Sequence, residues 1–81
     1  MVEIKKLPAV FYSTAAGNEP VREWLKTLDT VDRKIVGQDI AIAEFGWPAG
    51  MPVCRSLGSG LYEIRSDLAS HRIARVIFCV A

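Results

Sequence analysis

Residues 46–52 read GWPAGMP, two glycines and two prolines within seven positions. Proline removes the amide donor that a helix interior or central strand needs, and glycine loses more backbone freedom than any other residue when ordered. No regular element runs through such a stretch. It therefore divides the chain into two parts. Apolar residues recur at helical spacing before it and alternate with period two after it.

In the first part, Val21, Trp24, Leu25 and Leu28 fall at i, i+3, i+4 and i+7, which predicts an amphipathic helix. Asn18 is placed to cap it, and Pro20 suits its first turn. LDT ends this helix, with Asp29 or Thr30 able to cap a second one running from about Val31 to Phe45. Val36, Ile40, Ala43 and Trp47 form its apolar stripe, widened by Ile35 and Ile42. Gly37 costs up to ~1 kcal/mol against alanine there and is expected to mark close approach of the two helices. So short a link predicts an antiparallel helical hairpin. Upstream, IKKLPAVFY (4–12) reads as a first strand, with Pro8 confining it to an edge or a strand start.

In the second part, VCRSL (53–57) is a short extended piece and GSG a turn. LYEIRSD (61–67) and RIARVIFCVA (72–81) form a hairpin joined by LASH. The expected fold class is α+β, a helical hairpin on an antiparallel sheet in the order β-α-α-(β)-β-β. Residues 1–81 form a single domain, burying roughly 60% of the unfolded surface. Hydrophobic content of 51% supplies the core.

The net charge of +1 excludes a global basic field, but the charge is uneven. Residues 1–52 carry six Lys/Arg against seven Asp/Glu, and residues 53–81 carry four arginines against two acids. Arginine suits bidentate phosphate recognition. Alternation puts Tyr62 and Ile64 on the face towards the helices and Glu63 and Arg65 on the open face. Arg75 likewise points away from Val76 and Phe78. The competing reading is ordinary surface pairing, Arg65 with Glu63 or Arg72 with Asp67, worth ~0–1 kcal/mol. Cys54 and Cys79 lack metal-ligand spacing and are expected to be buried free thiols, in keeping with a reducing cytoplasm. No signal peptide or membrane span is evident, so a cytoplasmic location is expected.

The segments AAGNEPVREWLKTL, IAEFGWPAGMPVCRSLGSGLYEIRS and RIARVIFC occur in an order that resembles the RelE/ParE toxin superfamily. The wording is similar to its HigB-like, phage-derived branch of type II toxin-antitoxin toxins, across Val10 to Val80. That branch carries a LGxGLxELR segment before a strand of the form RIxRVxF. The resemblance implies a RelE-like fold and a toxin neutralised by a cognate antitoxin. Most characterised HigB- and RelE-type members are endoribonucleases that cut mRNA on the ribosome, without metal or cofactor. ParE relatives instead poison DNA gyrase, and an inert remnant that binds only antitoxin or itself is the third reading.

Metal-free RNA cleavage needs a base for the ribose 2′-hydroxyl, cations for the crowded phosphorane and an acid for the leaving oxygen. Arg65 and Arg75 match the family's arginines and are expected to be the phosphate pair, with Glu63 as candidate base. Arg55, Arg72 and His71 are candidates for secondary RNA contacts. Tyr12, Trp24 and Trp47 have rings able to stack on bases, although the helical spacing of both tryptophans assigns them to the core first. Relatives continue into a further strand and a Lys-rich tail, so the resemblance implies a C-terminally incomplete domain. Strand 72–81 would then have an open edge, to be covered by antitoxin or by another copy of this chain. Purified alone, the chain is expected to be oligomeric or poorly soluble.

Overall fold

The structure is a computed structural model that describes residues 5–48 and 54–80. Ile4, Val53 and Ala81, at the margins of the expected strands, lie outside the described residues. Two helices precede a three-stranded antiparallel sheet, the α+β layout expected. Helix α1 spans Pro20–Thr27 and α2 spans Thr30–Gly46. Strands β1 (Cys54–Gly58), β2 (Leu61–Asp67) and β3 (Ile73–Cys79) follow in spatial order β1-β2-β3, with β2 in the centre.

Helix α2 begins on Asp29, whose side chain accepts the Asp32 N–H at 2.8 Å. Such a cap contributes about 1 kcal/mol. Asp32, Val36 and Ala43 are its buried residues, which places a carboxylate on the same stripe as the apolar positions. Ile42 is half exposed and does not widen that stripe. Helix α1 starts from Glu19, not Asn18, and has no side-chain cap. Asn18 instead closes the preceding loop: its amide donates to Thr14 Oγ1 at 3.1 Å, and its carbonyl accepts the Thr14 N–H at 2.8 Å.

The core lies between α2 and the sheet. Ala43, Cys54 and Ile64 are buried together, with Ile40, Trp47, Val76 and Phe78 packed around them. Trp47, just past the end of α2, meets Tyr62 edge-on at 5.0 Å and Phe78 at 5.6 Å between ring centroids, and Tyr62 stacks on Phe78 at 5.4 Å. Edge-on and offset geometries suit the ring quadrupoles, so these aromatics serve packing, as the helical spacing of Trp47 implied. Tyr12 and Trp24 remain exposed.

Two further expectations are corrected, and the helical pair differs in how it packs. Residues 5–12 are irregular, not a strand. The Lys6 and Leu7 amides donate to the Glu44 carbonyl at 2.9 and 3.0 Å, and the Ala9 amide donates to Glu44 Oε2 at 2.7 Å. The Lys6 and Leu7 donors satisfy a carbonyl in the last turn of α2, the Ala9 donor meets the Glu44 side chain, and Pro8 has none to offer. The two helices pack unevenly: α2 packs on β2, whereas α1 buries no residue and lies beside β3. Finally, Gly37 marks no close approach, since nothing lies within 4 Å of where its Cβ would sit.

Candidate nucleic-acid interface

The turn between β1 and β2 depends on Gly58, Ser59 and Gly60, all at positive φ (86°, 54° and 79°). The two glycines take up this left-handed path without the Cβ penalty other residues meet. It sets the register that follows. Arg55 lies opposite Glu63, which lies opposite Ile77, and Arg65 lies opposite Arg75. These residues alternate with Tyr62, Ile64 and Ser66, so they occupy the face turned away from α2.

Arg65 and Arg75 are both exposed and face one another directly across the strand pair. Directly opposed residues have Cβ atoms about 4.5–5.5 Å apart, and like charges so placed repel. Among the described residues neither arginine forms a salt bridge, and Arg65 does not pair with Glu63. Two cations held together without a carboxylate between them form a ready site for an anion, and a phosphate oxygen pair fits such guanidinium forks. The structure thus brings the expected pair together.

Glu63 lies two positions along the same face but is only 6% exposed, against the expectation of an open-face carboxylate. It occupies the central strand, between Arg55 on β1 and Ile77 on β3, where neighbours stand on both sides. Arg55 is exposed in the row next to the arginine pair. These four residues form one contiguous group: Arg55, Glu63, Arg65 and Arg75.

Arg72 and His71 belong elsewhere. Arg72 crosses to the helical side, where Nη1 and Nη2 donate to Asp32 Oδ2 and Oδ1 at 2.8 and 3.0 Å. This bidentate bond, and then the charge of Asp32, hold the guanidinium above its ordinary pKa. The expected partner Asp67 is not used. Arg72 also secures the β2–β3 turn, with Nε donating to the Ala69 carbonyl at 3.0 Å and its own carbonyl accepting the Leu68 N–H at 2.8 Å. That turn holds Ser70 and His71 at φ 60°, a left-handed conformation that non-glycine residues adopt at a cost. His71 is exposed and lines a shallow concavity of about 440 Å³ with Asp67, Ser70 and Arg72. Asp67 and Ile73, two positions from Arg65 and Arg75, form the border between this concavity and the arginine pair.

Two contributors were not recognised from sequence. Asp32 sits four residues before Val36, so the helical period that found the stripe also marks Asp32. The buried Ser66 hydroxyl has no hydrogen-bond partner among the described residues, and its place on the Tyr62–Ile64 face follows from alternation. Cys54 is buried as expected, and Cys79 is exposed, contrary to expectation. It shares the outer face with Leu61, its register partner. Among the described residues no helix is long and apolar enough to cross a membrane.

Residues 23–81 match the model of a protein family described as phage derived protein Gp49-like (DUF891). That span contains both helical stripes in large part, the whole sheet and every candidate site residue. No curated protein and no solved structure matches the chain.

Proposed function

Because the chain belongs to the Gp49-like family of phage-derived proteins, a toxin-like family related to RelE, we propose that it is a HigB-like toxin of a type II toxin-antitoxin system. Its proposed lineage activity is metal-independent cleavage of mRNA on the ribosome, with a cognate antitoxin as its protein partner. The observation that carries this reading is the Arg65–Arg75 pair, opposed across two strands, exposed and free of carboxylate partners among the described residues. Repulsion between the two guanidiniums is relieved when a phosphate lies between them. The relief grows as negative charge accumulates in the phosphorane.

In this reading Arg65 and Arg75 contact the scissile phosphate, and Arg55 meets a neighbouring one. Glu63, within the same group and largely buried, is the proposed acceptor of the 2′-hydroxyl proton; the 2′-oxygen bonds to phosphorus as the bond to the 5′-oxygen breaks, and that oxygen takes its proton from solvent. Arg72 is a positioning residue: its bonds to Asp32 and Ala69 hold the turn that joins the two arginine strands.

Induced expression in a bacterial host tests the proposal. Arrested translation with new mRNA ends is expected, and Arg65→Ala or Arg75→Ala should each abolish those ends while antitoxin binding persists. A DNA-damage response without mRNA cleavage would transfer the toxin to gyrase. Full cleavage by both alanine variants would remove the arginine pair from the site.

A further inference from the structure

Strand β2 carries Glu63, Arg65 and Asp67 in that order along one face. The register sets a neighbour beside each of them: Arg55 beside Glu63, Arg75 beside Arg65, and Ile73 beside Asp67. Successive rows on one face of a strand are about 7 Å apart. The arginine pair therefore has the buried Glu63 in the row on one side and the Asp67–Ile73 row on the other.

Asp67 and Ile73 also open the concavity of about 440 Å³ at the β2–β3 turn, which Leu68, Ser70, His71 and Arg72 complete. Small-molecule sites span roughly 300–1,000 Å³, so the space suits one nucleoside. Leu68 and Ile73 give it apolar surface. Asp67, in no salt bridge among the described residues, gives it a hydrogen-bond acceptor. His71 is exposed and stands on a backbone at φ 60°. Glycine takes that conformation without a Cβ penalty, so histidine there carries a backbone cost and brings a ring to the concavity.

In phosphoryl transfer the attacking and leaving oxygens lie roughly in line through phosphorus. With Glu63 taking the 2′-hydroxyl proton, the attacking 2′-oxygen lies on the Glu63 side of the phosphate held by Arg65 and Arg75. The departing 5′-oxygen then lies on the opposite side, over Asp67 and Ile73. We propose, resting on the reading of Glu63 as proton acceptor, that RNA crosses the sheet in one direction only. Its 5′ side passes over Arg55 and Glu63, and the concavity at the β2–β3 turn seats the ribonucleoside 3′ of the cut. Unstacked bases of single-stranded RNA are held on aromatic side chains, histidine among them, and the His71 ring takes that part here. Arg55 meets the phosphate on the 5′ side.

Binding of short single-stranded RNAs built around a mapped cut tests this. Each carries a 2′-deoxy nucleotide immediately 5′ of the cut, which removes the attacking hydroxyl. The shortest ends in the scissile phosphate, and two others add one nucleotide on the 3′ or on the 5′ side. The 3′ nucleotide should tighten binding about tenfold, as stacking of one base does. His71→Gly should abolish that gain and keep the gain from the 5′ nucleotide. Its denaturant midpoint should equal or exceed the wild type's, because glycine relieves the backbone at φ 60°, so the loss is not unfolding. Arg55→Ala should do the reverse, losing the 5′ gain and keeping the 3′ gain. An exchange of the two effects reverses the direction and overturns the proposal. A 3′ gain that survives His71→Gly, or no 3′ gain where the shortest RNA binds, removes the nucleoside from the concavity and overturns it too. No binding of any of the three RNAs overturns the RNA reading of the site itself, and this inference with it.

Discussion

An alanine at position 37 would place a helix-favouring methyl group in open space, because nothing lies within 4 Å of that point. Glycine in a helix interior is less favourable than alanine by up to ~1 kcal/mol, so Gly37→Ala should raise stability by about that amount. A denaturant midpoint shifted upward with unchanged slope is the expected result. A loss of stability would mean that another surface approaches this face. The cysteines offer a second measurement. Burial pushes the Cys54 thiol above its ordinary value of 9.0, so the folded chain retains a proton that the unfolded chain releases. The resulting stabilisation is fully present below pH 9.0 and is lost as pH rises through the folded-state value. Stability should thus fall more steeply between pH 8 and 10 in the wild type than in Cys54→Ala. A maleimide reagent at neutral pH should label the exposed Cys79 in the native chain and reach Cys54 only after unfolding.

Asp32 on α2 and Arg72 after the β2–β3 turn join the helical layer to the sheet hairpin across forty residues of sequence. The Asp32 side chain is only 4% exposed, whereas that of Arg72 is 52% exposed, so the two ends of the bond are not equivalent. Removing Arg72 leaves a buried carboxylate without its partner, a more damaging change than removing the whole pair. Arg72→Ala should therefore lower the denaturant midpoint, and adding Asp32→Asn should recover part of the loss. A double variant less stable than Arg72→Ala would show that Asp32 has another essential partner. This bond also shows what sequence reading reaches. Helix boundaries and the β2–β3 hairpin were legible because caps, turn residues and periodicity are local. The pairing of Arg72 with Asp32 was not, because Asp67 is nearer in sequence and only tertiary packing brings α2 to the turn. The segment 5–12 failed for a related reason: its residue types favour a strand, but strand formation requires a partner edge, and its amides found the Glu44 carbonyl instead. At the site, alternation put Arg65 and Arg75 each on the open face, and the family resemblance, not the alternation, singled them out as a pair. Alternation could not show that Glu63 would be shielded between its neighbours on the central strand.

The molecule as a whole carries a net charge of only +1, so long-range attraction to a polyanion is weak and the RNA binding proposed above would have to come from local contacts. Arg55, Arg65 and Arg75 lie on one face, while Arg72 is engaged by Asp32 on the other. The acids of residues 1–52 slightly outnumber the bases, and that part of the chain supplies the helices. The proposed binding through the sheet face would therefore keep the RNA on the side away from the more acidic half. The contact number sets a quantitative expectation. Each phosphate neutralised on a single strand contributes about −0.7 to the slope of log affinity against log salt, so three arginines give roughly −2. Titrating a short single-stranded RNA across a range of salt should yield that slope, and Arg65→Ala or Arg75→Ala should each make it shallower by about 0.7. Arg72→Lys keeps the charge outside the proposed phosphate row and should leave the slope unchanged, provided the variant remains folded. A wild-type slope near zero would show that these arginines do not hold phosphate. A much steeper slope, left intact by both alanine variants, would place the contacts on lysines outside the sheet face.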